Sequence, residues 1–286
     1  MRVGSRQRSF GYHPRTMNIA ILTSVDTRHR YFVRAMRRFA NVAAVVYEET
    51  GYSPADTKGY DLSASEERVV ADHFAERQRQ ETLFLGHDAE FLSDGRDARV
   101  LRVTKRELNT PATADFIGSA CPDLVLVYGT DLIKPPLLDR FAGRMLNLHL
   151  GLSPYYRGTA TNFYPLLNEE PEYVGATIHL IDPGIDTGAI LAHARPAIIV
   201  DDQPHTIGCK TILAGIQAMG EVLARWHSDR PPAIPQWPVP NPRLYLRKDY
   251  HPRQVVDLYR KLEAGMIPRY VTEEHARAAR VKLVIP

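Results

Sequence analysis

The chain reads as an α/β protein built on a doubly wound, mostly parallel sheet, with a short C-terminal appendage. Three observations predict this. Runs such as NIAILTS (18–24), VAAVVYEE (42–49) and DLVLVYGT (123–130) are apolar at consecutive positions, as in strands buried on both faces of a parallel sheet. Segments with helical spacing of apolar residues alternate with them, giving a β-α-β rhythm. A length of 286 residues, 44% hydrophobic and 24% charged, suits one large globular domain or one domain plus an appendage.

The first sixteen residues, MRVGSRQRSFGYHPRT, are basic, hold no acid and lack the apolar segment of a secretory signal. They read as a flexible arm, or as the product of a start upstream of a native Met17. After NIAILTS, RYFVRAMRRFA (30–40) has helical spacing, and VAAVVYEE follows as a strand. Residues 64–90, rich in Glu, Arg, Gln and His, read as one or two surface helices. ARVLRVTK (98–105) is a strand, with a helix near 112–120. DLVLVYGT is the clearest buried strand in the chain.

VGATIHLID (174–182) is a further strand, and GAILAHARPAIIV (188–200) an extended pair. In the segment 204–226, Ile207, Ile212, Ile216, Met219 and Leu223 recur at helical spacing. The stretch SDRPPAIPQWPVPNP (228–242) carries six prolines, which exclude regular helix and central strand. It is expected to run extended along the surface of the main domain. Residues 243–286 carry ten Lys/Arg against five Asp/Glu, with one clear helix at PRQVVDLYRKLEAG. The expected boundaries are an arm at 1–16, a main domain at 17–227, and a linker with appendage at 228–286.

Several classes are disfavoured. A formal charge of +3 is too small to argue for nucleic acid, and no apolar run approaches the roughly 18–20 residues that a membrane helix needs. Cys121 and Cys209 lie far apart without CxxC spacing, so no zinc site or disulfide scaffold is indicated. Both are expected to be ordinary buried thiols in a reducing cytoplasm. There is no P-loop and no G-x-S-x-G, and SVDTRHR rather than G-x-G-x-x-G follows the first strand.

The chemistry gathers at strand ends, where open parallel sheets bind ligands. In MLNLHLGLSPYYRG (145–158), Asn147 and His149 are two residues apart, so one face of a strand end carries an amide beside an imidazole. In IDPGIDTGAI, Asp182 and Asp186 sit in a loop with Gly184 and Gly188, which permit tight turns. Asn, charged His and Asp together suit addition to a carbonyl: two groups steady the oxyanion and the Asp manages the proton. Each residue also has a plain structural reading, as a loop-satisfying Asn, a packed His or an Asp-Pro-Gly turn. The residues alone leave both open.

Taken jointly, LNLHLGLSPYYRG and IDPGIDTGAIL resemble the formyltetrahydrofolate-dependent formyltransferases. That family spans glycinamide ribonucleotide transformylase, methionyl-tRNA formyltransferase and amino-sugar N-formyltransferases. Asn147, His149, Gly175, Thr177, Asp182, Gly184, Asp186 and Gly188 match its pattern, and the likeness covers residues 120–225 best. The resemblance implies a formyltransferase Rossmann-like sheet and N10-formyltetrahydrofolate as co-substrate. It implies that Asn147 holds the formyl oxygen, His149 stabilises the tetrahedral intermediate, and Asp186 fixes His149 and relays the proton. Thr130, Asp131, Leu132 and Ile133, with Ile181, Asp182, Gly184 and Ile185, would frame the pterin. His179 matches a histidine of the glycinamide ribonucleotide enzyme, and also reads as a strand histidine beside the core. Gly151 departs from the family, which has Ser there.

The acceptor implied is a small primary amine, most readily that of a nucleotide-linked amino sugar. Tyr155, Tyr156 and Arg157 would supply stacking faces and a cation. Methionyl-tRNA formyltransferases add a C-terminal β-barrel that grips tRNA, and the 44 residues from 243 are too few for one. No metal, nucleic-acid or membrane partner is expected; a homodimer is allowed for. An amino acid or hydroxylated amine as acceptor, a formyltetrahydrofolate hydrolase, and a non-catalytic folate or nucleotide binder are the alternatives.

Overall fold

The computed structural model describes residues 17–49, 56–86 and 98–285. The N-terminal arm and residues 87–90 of the charged segment lie outside the described residues. Asn18–Thr23 (β1), Asn41–Glu49 (β2), Arg99–Thr104 (β3), Leu124–Tyr128 (β4) and Met145–His149 (β5) form the parallel part of the sheet. Tyr156–Gly158 (β6) leaves it, and Ala176–Leu180 (β7) and Ile190–Ala194 (β8) complete it in antiparallel fashion. The order is β3-β2-β1-β4-β5-β7-β8.

Helices cross between the parallel strands: Thr27–Met36 (α1), Ala64–Leu85 (α2), Lys105–Leu108 (α3), Pro111–Gly118 (α4) and Leu137–Arg140 (α5). The charged segment is thus one helix, started by a capping box between Ser63 and Glu66. The period-2 geometry of the strands splits the core into two layers. Leu124, Leu126 and Tyr128 of β4 join Ile19 and Ile21 on one face, while Val125 and Val127 join Ala20 and Leu22 on the other.

After Phe163–Leu167 (α6), the long helix Pro204–Arg225 (α7) covers the first face. By length and composition α7 is apolar enough to cross a membrane, yet Ile207, Ile212, Ile216, Met219 and Leu223 are all buried within the protein. Each contributes about 1.5–3 kcal/mol by leaving water, which holds the helix in the core.

The 188–200 stretch forms one strand, β8, and not an extended pair. Pro196 has no N–H to give a ladder, and beyond its pairing with β7 the further partners of β8 come from remote chain. Ile234 of the Pro-rich segment exchanges two backbone hydrogen bonds of 2.8 Å with Ile190, and the His193 N–H donates to the Val284 carbonyl at 2.7 Å. The segment after the linker holds Arg243–Tyr245 (β9), which pairs with β6, then Arg253–Glu263 (α8) and Met266–Ala278 (α9). The sequence pattern predicts only α8 among these. Pro268 masked α9, but it lies in the helix's first turn, where no intrahelical N–H is needed. Leu258, Met266, Ile267 and Tyr270 pack with Leu166, Val174 and Ile207 in a third apolar cluster.

The chain runs outward from β1 to β3 and returns on the other side of β1 as β4. This reversal opens a crevice beyond the carboxyl ends of the strands, where such sheets take ligands.

Candidate active site

β5 ends at this crevice with Asn147 and His149 on one side. Antiparallel β7 sets His179 opposite Asn147 and Thr177 opposite His149, so a second imidazole joins the first. The loop between β7 and β8 carries Asp186 at φ +50°, the left-handed region, which costs a non-glycine residue about 1–2 kcal/mol. Asp182 shapes that loop: its Oδ1 accepts from the Gly184 N–H at 3.1 Å and the Thr187 hydroxyl at 2.6 Å.

Asp186 is the hub of the cluster. Its Oδ2 lies 3.3 Å from His149 Nδ1 and accepts the Gly158 N–H at 2.9 Å. Its Oδ1 accepts from Asn147 Nδ2 at 3.2 Å and lies 3.4 Å from His179 Nε2. Carbonyls only accept, so His179 carries a proton on Nδ1, which donates to the Leu180 carbonyl at 2.8 Å. By the same logic His149 Nε2 donates to the Tyr156 carbonyl at 3.0 Å. Both nitrogens of His149 therefore face acceptors, the arrangement that suits a doubly protonated ring.

Burial works to raise the Asp186 pKa, but the charge of His149, the hydrogen bond and charge of His179, and the Gly158 N–H outweigh it. They hold the carboxyl well below the usual carboxylate range. Burial pulls the His149 imidazole below its ordinary value, while Asp186 and the Tyr156 carbonyl pull the other way. A carboxylate locked in its charged form beside an imidazole that burial inclines toward its neutral form is equipped for acid–base work at a carbonyl.

A cavity of about 680 Å³ opens over the cluster. Asn147, His149, His179 and Asp186 line it, together with Thr130, Asp131, Leu132 and Ile133 after β4 and Ile181, Asp182, Gly184 and Ile185 after β7. The residues assigned to catalysis and to the pterin thus share one cavity.

Tyr155, Tyr156 and Arg157 do not line it, and the expectation that they meet the acceptor is corrected. Tyr156 and Arg157 belong to strand β6, pinned by β9. Tyr156 is buried: its hydroxyl donates to Glu170 and accepts from Asn168 at 3.0 Å. The Tyr155 ring lies against Tyr173, and its hydroxyl accepts the Trp237 and Lys282 N–H groups at 3.3 and 2.9 Å. Arg157, next along the strand, has its Nε buried.

Other residues face the cavity that the sequence reading passed over. Arg28 and Arg77 donate to one Glu81 carboxylate at 2.7 and 3.0 Å, and His73, Arg77 and Glu81 all line the wall. Their spacing of four residues places them on one helix face and was the available signal. His29 packs beside Gly129 (φ +71°), where a Cβ would lie 2.2 Å from His29 Nε2, so only glycine fits. Of the cysteines, Cys209 is buried and its thiol is pushed up to about 12 by burial, whereas Cys121 is exposed, contrary to expectation. Among the described residues no cluster of His, Cys, Asp and Glu could hold a metal ion.

A doubly wound sheet thus sets an amide, an imidazole and a carboxylate together at the crevice where such folds take ligands. The profile of the family described as formyl transferase matches residues 34–223, and the chain belongs to that family. It is 39% identical over 123 residues to the methionyl-tRNA formyltransferase of Finegoldia magna, a match covering 42% of this chain and 39% of that one. The matched stretch is thus about two fifths of the length of that relative.

Among solved structures, glycinamide ribonucleotide transformylase 1 from Symbiobacterium toebii superposes with a TM-score of 0.51. It is 19% identical, over 77% of this chain and 92% of that one. WlaRD, a sugar 3N-formyl transferase solved with dTDP and 5-N-formyl-THF, gives 0.53 at 19% identity, over 82% and 72%. At these identities the structural likeness speaks for the fold.

Proposed function

We propose that the chain is an N-formyltransferase that moves the formyl group of N10-formyltetrahydrofolate to a primary amine. The observation that carries this reading is the Asp186 hub, which gathers Asn147 and His149 in the wall of the cavity that the 130–133 and 181–185 loops also line. Ile133, Ile181 and Ile185 offer the apolar surface that a flat pterin needs.

The amine attacks the formyl carbon, and the oxyanion that forms is held by the Asn147 amide, which now donates to Asp186. Asp186 fixes His149 at the reacting carbon and relays the amine proton toward the leaving N10. Such preorganised donors are typically worth about 10²–10³ in rate each.

For the acceptor we favour a nucleotide-linked amino sugar. The residues beyond the linker fold as β9, α8 and α9 against the main unit. The acceptor then lies against Arg28, His73, Arg77 and Phe163, which line the same cavity. The test is to incubate the protein with N10-formyltetrahydrofolate and, separately, water alone, methionyl-tRNA, amino acids, and nucleotide-linked 3-amino and 4-amino sugars, following tetrahydrofolate release and formylated product by mass spectrometry. Formylation of a sugar is expected. Formylation of tRNA with every sugar inert would overturn the acceptor, and formate release alone would make the protein a hydrolase. Calorimetry and melting with a formylfolate analogue test the pocket itself, because a ligand bound at 100 times its Kd stabilises by about 2.7 kcal/mol.

A further inference from the structure

The Pro-rich segment does more than cross the surface. Ile234 is hydrogen-bonded to Ile190 of β8, and two residues later Gln236 points back into the loop that carries Asp186. The single amide nitrogen of Gln236 donates to the Asp186 carbonyl at 2.7 Å and to the Gly188 carbonyl at 3.0 Å. The turn has no slack on its other side: a Cβ at Gly188 would sit 1.7 Å from the Leu180 carbonyl oxygen.

Further along the same segment, β9 pairs with β6, and the Thr159 N–H donates to the Tyr245 carbonyl at 2.8 Å. β6 in turn supplies the Gly158 N–H to Asp186 and the Tyr156 carbonyl to His149. One extended segment thus grips the catalytic aspartate twice, at its main chain through Gln236 and at its carboxylate through β6. Pro235 and Pro238 flank Gln236 and Trp237, restricting the backbone that presents the amide.

We propose that Gln236 is a positioning residue for formyl transfer, locking the left-handed turn at Asp186 so that its carboxylate stays aligned with His149 and Asn147. A residue held in a sparsely populated backbone region persists there only when its surroundings over-determine it. The two carbonyl bonds from Gln236 are that determination. The kinetic consequence rests on the formyl-transfer reading; the geometric one does not.

Three variants separate donation from bulk. Gln236→Leu removes the donors at similar volume, Gln236→Glu points a carboxylate at two carbonyls, and Gln236→Lys retains donors with similar reach. With kcat and KM measured for formyl transfer, Gln236→Leu should lower kcat about 10–100-fold, with the KM for formylfolate changing less. Gln236→Glu should fall further, and Gln236→Lys should recover most of the loss, with melting temperatures close together.

A second readout needs no turnover. His149 faces Asp186, His179, Arg157 and the Tyr156 carbonyl, and releasing Asp186 removes the charge that favours the protonated ring. Its titration, followed by ¹³C NMR, should move down in Gln236→Leu and not in Gln236→Lys. Wild-type kcat with an unmoved His149 titration in Gln236→Leu would overturn the proposal. So would losses that track melting temperature across the variants. If Gln236→Glu does not fold, the Leu and Lys pair decides. If the wild type moves no formyl group at all, the function fails, and the His149 titration still rules on Gln236.

Discussion

Gly151, where the family pattern has serine, offers a direct test of how tightly His149 is held. A Cβ there would lie 2.4 Å from His149 Nε2 and 2.7 Å from both Cβ and Oγ1 of Thr161. Thr161 is anchored by its hydroxyl, which donates to the Leu150 carbonyl at 2.5 Å, so the imidazole must give way. Ordinary contact begins near 3.4 Å, so the ring must shift by about 1 Å. A shift of that size takes Nδ1, now 3.3 Å from Asp186, out of hydrogen-bond reach or breaks the Nε2 bond to Tyr156. Misplacing a reacting group by 1 Å costs about 10² in rate, and losing a transition-state donor about 10²–10³.

Overpacking adds about 1–3 kcal/mol of destabilisation, or a few degrees in Tm for a chain of this size, so the variant stays folded in the assay. Gly151→Ala should therefore approach the turnover of His149→Ala while melting near the wild type. Steady-state kinetics, calorimetry and the His149 ring resonances measure all three quantities. Near-normal kcat with unmoved His149 resonances would show that the ring is not confined as described.

Other consequences are as concrete. His149→Ala and Asp186→Ala should each cut turnover by about 10² or more with the fold retained; near-normal kinetics in either would remove the mechanism. Burial lowers His73 to about 3 and His193 and His205 to about 4, whereas the unfolded chain protonates histidine near 6.5. The unfolded state then binds more protons through this window, so stability must fall as pH drops from about 6.5 toward 4. Urea midpoints that stay flat over that range would contradict the buried, neutral assignment. Alkylation should modify exposed Cys121 readily, spare Cys209 in the native state and leave formyl transfer intact. Rapid loss of both thiols in the folded protein would show that the α7 face is open.

Much of the fold was legible because its signals are local. The two-faced apolar runs of β1 and β4 and the helical spacing from Ile207 to Leu223 report burial through periodicity, which neighbouring residues carry by themselves. Asn147 and His149 were legible for the same reason, since residues two apart on a strand share a face wherever the strand lies. The glycine-bearing turn around Asp186 declared itself through turn chemistry.

Tertiary structure alone decided the rest. Antiparallel pairing of β7 with β5 put His179 behind Asn147, and no local pattern states which residues of two strands stand opposite. YYRG suggested open stacking faces, but pairing with β9, more than eighty residues away, made it a strand with Tyr156 buried. His73, Arg77 and Glu81 belonged to a polar helix that read as solvated, until the sheet folded its inner face over the cavity. Gln236 belonged to a segment notable only for proline. Its amide meets the Asp186 turn because the linker docks beside β8, and that contact depends on long-range packing and not on any preference of the residues between.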